Sequence, residues 1–279
     1  MYQAHHSGLS WRDALSRLTR RTPSDGGASP SAAKTAAVQF LSPRGIGDSP
    51  SQPPRISNVC VVDLDKDGLM DVVVCDALAD RVTWIRQTQR DVYVEMPVGG
   101  TIRAPAHVCA VDMDKDGDLD LLVASMGMLF PNNDKIGSVV ILENDGKQQF
   151  KAHVVAEKMA RATDVRAGDF NGDGKLDLAV GLFGYDDGEI RWMENLGNWQ
   201  FKSRKLLGLS GTIHTPVADM DGDGDLDIVA IVSQEWEEIY VFENDGKGHF
   251  TTRLVWGSSN EDFGSSGIDL VDMDMDGDL

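Results

Sequence analysis

Basic residues are scarce in this chain. Against 26 Lys and Arg stand 45 Asp and Glu, a formal charge of −19 over 279 residues. A surface of that sign repels phosphate backbones and anionic lipid, which argues against nucleic-acid and membrane-surface partners. Cysteine is nearly missing too. Cys60, Cys75 and Cys109 make no disulfide framework. Cys60 and Cys109 do fall at matching places, so free thiols and a single bridge both remain open. No apolar run is long enough to span a bilayer or to serve as the core of a signal peptide, and Arg20-Arg21 leads into polar residues, unlike a twin-arginine signal. The sequence also lacks a Gly-x-Ser-x-Gly elbow, a His-Glu-x-x-His pair, a Gly-x-x-x-x-Gly-Lys loop and a Cys-x-x-Cys-His motif.

The acid that is present is patterned. Asp219, Asp221, Asp223 and Asp227 stand at positions 1, 3, 5 and 9 of a nine-residue run with Gly224 at position 6. The run returns as Asp63, Asp65, Asp67 and Asp71, as Asp112, Asp114, Asp116 and Asp120, and as Asp169, Asn171, Asp173 and Asp177. A fifth copy opens at Asp272, Asp274 and Asp276, and the sequence stops at Leu279. Alternate carboxylates that converge around a glycine turn suit Ca2+, a hard cation that takes roughly six to eight oxygens. The backbone carbonyls at position 7 (Leu69, Asp118, Lys175 and Asp225) can join the set. An EF-hand is ruled out, because its closing Glu at position 12 is replaced by Val74, Val123, Val180 and Ala230. An apolar run follows each loop and reads as a strand, not as an exit helix. Acidic surface turns are the plainer alternative, but one spacing kept through four complete copies favours one Ca2+ per loop. Without a divalent cation such clusters repel internally, so stability is expected to depend on metal.

Asp-x-Asp-x-Asp-Gly-x-x-Asp between apolar strands resembles the FG-GAP/VCBS repeat family, the calcium-loop repeat of integrin-alpha-like propellers, and lies closer to its bacterial VCBS branch. The resemblance covers residues 55 to 279. It implies an all-β propeller of four-stranded antiparallel blades, here four blades plus the start of a fifth, in an extracytoplasmic or secreted protein. The period agrees, since successive loops open about fifty residues apart, and each interval holds several short apolar runs. First strands are expected at 59–62, 108–111, 165–167, 216–218 and 268–271, second strands directly after the loops, and third strands at 82–86, 139–143, 190–194 and 239–243. Asn144-Asp-Gly146, Asn195-Leu-Gly197 and Asn244-Asp-Gly246 then read as hairpin turns. Phe150, Phe201 and Phe250 follow at equal spacing and are assigned, with Trp84 and Trp192, to the core. In the first repeat Gln87 and Tyr93 replace this turn signature.

Residues 1–54 differ. Leu9, Trp11, Leu15 and Leu18 would line a short helix, and a Ser-, Pro- and Gly-rich linker follows. A sequence that stops inside a motif reads as a fragment.

In the family, the calcium loops lie on the lower face of the propeller. Asn58, His107, Asp164 and His214, each five residues before a loop, then ring the upper mouth of the channel, with Gly267 at the fifth place. They cap strand ends or bind a ligand. Unequal loops on that face carry Phe130, Tyr185 and Trp236 beside Asn, Asp and Glu, a mixture suited to a carbohydrate or a protein partner. The expected function is therefore a calcium-stabilised binding module without catalysis. Two rivals stand beside it. One is a polysaccharide lyase with His107 or His214 as base and Arg166 against a uronate. The other is a structural spacer attached to a catalytic or electron-transfer domain.

Overall fold

Val, Ile and Leu crowd both sides of each acidic loop, and β-branched runs too short for a helix become strands. The computed structural model describes residues 42–49, 52–234, 237–258 and 264–279. Among these it has strands and no helix. The expected helix around Leu9–Leu18 lies outside the described residues, and Gly45–Leu279 forms one unit.

Four antiparallel sheets follow one another along the chain. Blade 1 is β1 (Ile56–Val62), β2 (Asp71–Asp76), β3 (Arg81–Gln89) and β4 (Val92–Val98). Blade 2 is β5 (Pro105–Val111), β6 (Asp120–Ser125), β7 (Gly137–Asn144) and β8 (Phe150–Met159). Blade 3 is β9 (Ala162–Gly168), β10 (Asp177–Leu182), β11 (Glu189–Gly197) and β12 (Gln200–Leu207). Blade 4 is β13 (Thr212–His214), β14 (Val217–Ala218), β15 (Asp227–Ser233), β16 (Glu237–Asn244) and β17 (Phe250–Gly257).

Its first strand was expected as one piece at 216–218. Instead β13 and β14 pair separately with β15, with Thr215 and Pro216 between them. Proline has no N–H to give the ladder, so the strand breaks there. The expected strand at 268–271 does not form, and residues 264–279 hold no strand. In every complete blade the first strand pairs with the strand after its own loop, and the sequence ends at Leu279 before such a strand.

The second strands of blades 2 and 3 are apolar on both sides because a neighbouring blade covers each side. Val73, Cys75, Val82 and Trp84 of blade 1 pack on Val108, Leu121, Val123 and Leu142 of blade 2. The opposite face of blade 2, with Leu122, Ala124, Val139 and Ile141, packs on Val165, Leu178 and Val180 of blade 3. Ala179, Ile190 and Trp192 then meet Ile228, Ala230, Val232 and Phe242 of blade 4. Each of these two strands thus supplies two interfaces through its two-residue period. Neighbouring first strands (β1 with β5, β5 with β9, β9 with β13) touch in turn, as strands lining a propeller axis do.

The ends of the arc differ. Val59 and Val61, on the face where blade 2 buries Val108, are 51% and 59% exposed, and Val59 borders an apolar groove of about 360 Å³ with Ile46, Pro54 and Ile56. At the other end Val229, Ile231 and Val241 stay buried. There the Glu237 carboxylate accepts 2.9 Å hydrogen bonds from the N–H groups of Gly264 and Ser265, which brings the start of the fifth repeat over blade 4.

In blades 2 and 4 the Asn-x-Gly turns join third to fourth strands as expected, with φ of 66° at Gly146 and 67° at Gly246, whereas in blade 3 Asn195–Gly197 stays paired in β11 and the chain turns at Asn198 and Trp199, φ 52° and 59°. Phe150 meets Trp84 of the preceding blade edge to face at 6.0 Å, and Phe250 meets Trp192 at 5.5 Å. In blade 1 the Gln87 amide donates to the Tyr93 hydroxyl at 3.2 Å, standing in for the missing turn asparagine. Gly248 has φ +75°, and a Cβ there would lie 2.2 Å from the Trp192 ring. Gly248→Ala should therefore lower the unfolding free energy by roughly 2–4 kcal/mol. Gly208→Ala, where the nearest atom to a new Cβ would be Lys205 Nζ at 3.6 Å, should change it little. Urea titration of both variants checks this.

Candidate metal centres and the opposite face

In an up-and-down sheet, the first-to-second and third-to-fourth connections share one end. All the acidic loops and all the Asn-x-Gly turns therefore lie on one face, and the remaining connections lie on the other.

The loops repeat atom by atom. The position-6 glycine N–H donates to the position-1 carboxylate at 2.9 Å (Gly68 to Asp63), 3.1 Å (Gly117 to Asp112), 2.9 Å (Gly174 to Asp169), 3.0 Å (Gly224 to Asp219) and 2.9 Å (Gly277 to Asp272). Position 7 donates to position 5, as from Leu69 to Asp67 and from Asp225 to Asp223, both at 2.9 Å. Asp118 and Lys175 do the same toward Asp116 and Asp173. Asp112 and Asp169 spend one oxygen on the turn, leaving the other available to the loop centre, whereas Asp63, Asp219 and Asp272 accept N–H groups on both oxygens. Asp63, Asp65 and Asp71 bring oxygens within 4.8 Å of one another, as do Asp112, Asp114 and Asp116, then Asp219, Asp221 and Asp227, and finally Asp272, Asp274 and Asp276. Asp112 Oδ1 and Asp169 Oδ1 are buried with no donor among the described residues. Buried oxygens without donors, set among converging carboxylates, fit a cation.

Position 4 is left-handed in every copy, with φ of 58° at Lys66, 64° at Lys115, 68° at Gly172, 78° at Gly222 and 63° at Met275. Sequence reading had marked only the glycine at position 6. The glycines at 172 and 222 were the available signal. Lys66 Nζ donates to Gly117 O of the next loop, and Lys115 Nζ to Gly174 O at 2.5 Å, so loops 1, 2 and 3 are linked in series. Two loops carry a cation of their own: Arg86 lies 2.5 Å from Asp65, and Lys175 pairs with Asp173.

The closing aspartate does more than end the loop. Asp71, Asp120, Asp177 and Asp227 are all buried. One oxygen accepts the N–H of position 2, from Leu64 at 3.2 Å, Met113 at 3.0 Å and Met220 at 2.9 Å. The other accepts an N–H from the third strand, from Gln87 at 2.8 Å, Asn144 at 2.8 Å, Asn195 at 2.7 Å and Asn244 at 2.8 Å. The turn asparagines return a side-chain bond to position 8, at Leu119 O, Leu176 O and Leu226 O. Burial pushes Asp120 and Asp177 up to about 6, against the opposing pull of these N–H groups.

On the other face, three of the four expected channel-mouth residues converge. Asp164, fully buried on β9, has His107 Nδ1 at 2.9 Å, His214 Nδ1 at 3.6 Å, Arg166 Nε at 3.2 Å and the Thr215 N–H at 2.7 Å. The His107 contact lies off the N–H line, so it is a close electrostatic approach and not a well-aligned hydrogen bond. Burial would raise the Asp164 carboxyl, but the two histidines and Arg166 outweigh it and hold it well below the usual carboxylate range. Asn58 stands apart from this cluster. Its Oδ1 accepts the Val108 N–H at 3.2 Å and so caps the junction of blades 1 and 2.

Phe130 and Tyr185 are 65% and 48% exposed. Their loops, 126–136 and 183–188, are joined by Asn133 to Asp186 at 2.6 Å and Lys135 to Asp187 at 2.8 Å. Pro131, Asn132, Asn133 and Tyr185 line a hollow of about 430 Å³ beside them. Trp236 lies outside the described residues. All three cysteines are free, and burial pushes the Cys75 and Cys109 thiols up to about 12.

Blades of this kind, each entered through an acidic loop, define a repeat propeller. The FG-GAP-like repeat profile matches residues 63–123, 112–180, 181–230 and 219–279, and the chain belongs to that family. No curated protein matches it. Among solved structures it is similar to an exotype rhamnogalacturonan lyase, YesX, with 14% identity and a TM-score of 0.40 over 74% of this chain. The match spans 50% of that structure's length.

Two outcomes follow from the buried carboxylates. In EDTA, Asp120 and Asp177 should make the protein more stable at pH 5 than at pH 7. Their folded pKa values lie above the unfolded value near 4, so the folded state holds more protons between about pH 4 and 6. Thermal melts across that range test the sign. Asp164→Asn should cost about 3 kcal/mol at pH 7, since it leaves Arg166 and two histidines facing a neutral amide. The deficit should shrink as pH falls below about 4, where the depressed carboxylate of the wild type loses its advantage.

Proposed function

We propose that this chain is a calcium-stabilised propeller acting as an extracytoplasmic binding module, with one Ca2+ in each complete loop and a protein or carbohydrate ligand on the opposite face. The observation that carries the metal reading is the pair of buried, donorless oxygens at Asp112 and Asp169. The proposed ligands are the side chains at positions 1, 3, 5 and 9, with the carbonyls of Leu69, Asp118, Lys175 and Asp225. Bound Ca2+ neutralises the loop; the chain's own N–H groups have already oriented the carboxylates. No catalysis is assigned to the module. The ligand reading rests on Phe130 and Tyr185, large exposed rings on two neighbouring loops in surface contact with each other.

A lyase is the second reading, and one observation favours it. Asp164 lies against His214 Nδ1 with Arg166 alongside, the arrangement of an oriented base next to a cation. His107 is 4% exposed, so His214 is the base in that case.

Melting in excess Ca2+ and in EDTA tests the metal. The expected result is a rise of several degrees in Ca2+, reduced in both Asp112→Ala and Asp219→Ala. Equal melting temperatures in Ca2+ and EDTA would reduce the loops to acidic turns. An array of glycans and surface proteins tests the ligand: hits should weaken at least tenfold in Phe130→Ala and Tyr185→Ala. Release of an unsaturated product from an acidic glycan, lost in His214→Ala, would instead establish the lyase.

A further inference from the structure

Arg161 lies in the short connection from β8 to β9, on the face away from the acidic loops, and is 5% exposed. Its carbonyl accepts the Phe183 N–H at 2.8 Å, and its guanidinium lies over the Phe183 ring, 4.8 Å from the centroid. Nη1 reaches only Leu129 O, at a long 3.4 Å. Nε and Nη2 are buried without an acceptor among the described residues. Other arginines here meet carboxylates: Arg86 meets Asp65, Arg191 meets Glu189, Arg204 meets Glu194 and Arg253 meets Glu243. In a chain with a formal charge of −19, acid was available to Arg161 as well.

Nε and Nη2 form the side-on fork of the guanidinium, the pair that takes two oxygens of one anion at once. Arginine stays protonated when buried, and an uncompensated buried charge is strongly unfavourable. We propose that this fork is an anion-binding site and takes the carboxylate of an acidic saccharide between loops 126–136 and 183–188. The proposal rests on the reading of this face as the ligand side. Phe130 and Tyr185 offer exposed rings for the apolar face of a sugar, and Asn132 borders the hollow that Tyr185 lines. Both free donors are out of solvent, so loop 126–136 lifts to admit the anion. Exposed pairs such as Lys135–Asp187 hold that loop only weakly.

The test compares the wild type with Arg161→Met in low-salt zwitterionic buffer containing Ca2+. D-glucuronate, D-glucose and sodium chloride are added at matched concentration. D-glucuronate should raise the wild-type melting temperature by several degrees beyond the other two, and this excess should vanish in Arg161→Met. The Arg161 Nε–H resonance of the wild type should shift with D-glucuronate and not with D-glucose, a readout that survives if the variant fails to fold. Equal effects of the acid and the neutral sugar, or a glucuronate effect retained in Arg161→Met, would overturn the anion site. An unmoved Nε–H resonance would do the same. Array hits lost in Phe130→Ala but kept in Arg161→Met would preserve the face as a ligand side while removing its anion specificity.

Discussion

The buried carboxylate at position 9 holds each blade to its loop. Asp71, Asp120, Asp177 and Asp227 sit where the loop enters the second strand, and each accepts N–H groups from the start of the loop and from the third strand. These donors would otherwise be buried without acceptors, at a cost of about 1–3 kcal/mol apiece. Loop, second strand and third strand are therefore set by one side chain. The asparagine that opens each following turn adds a return bond and places the turn beside the loop. In blade 3, Trp192 Nε1 also donates to Asp177 at 3.0 Å, tying the inter-blade aromatic cluster to the same oxygen pair.

The two faces follow different rules. On the loop face the carboxylate framework recurs from blade to blade, because each blade solves the same packing and charge problem. On the other face the blades differ: Asn58 caps a backbone N–H, Asp164 gathers two histidines and an arginine, and Arg161 has a guanidinium fork without an acceptor among the described residues. A repeated scaffold leaves its irregular end free to diverge, and specific chemistry is concentrated there.

How much of this could be read from the sequence tracks that division. The acidic loops, the second and third strands and the turns of blades 2 and 4 were legible because spacing and apolar runs recur; in blade 3 the same spacing pointed to Asn195–Gly197, three residues that the longer β11 keeps, and the turn moves to Asn198–Trp199. The core role of Trp84 and Trp192 was legible for the same reason. The split at Thr215–Pro216 was signalled by the proline, yet the strand was expected to begin there, since nothing local shows that β13 also pairs with β15. The segment 268–271 has strand composition and lacks a partner. Positions 58, 107, 164 and 214 could be aligned by number, but the burial of Asp164 depends on three blades meeting and no single segment shows it. Arg161 was missed altogether. It belongs to no repeat, and its want of an acceptor is a property of its surroundings.

The links between neighbouring loops are of two kinds. At the junctions of blades 1 with 2 and 2 with 3 they are lysine ammonium groups reaching a carbonyl across the surface. At the junction of blades 3 and 4, where Gly172 takes the place of a lysine, the link is the buried Asn244 amide, which donates to Phe170 O at 2.9 Å. Salt weakens an exposed charge–dipole contact and barely touches a buried amide bond. The first two junctions therefore carry a salt-sensitive tether that the third lacks, laid over the apolar packing that all three share and that salt does not loosen.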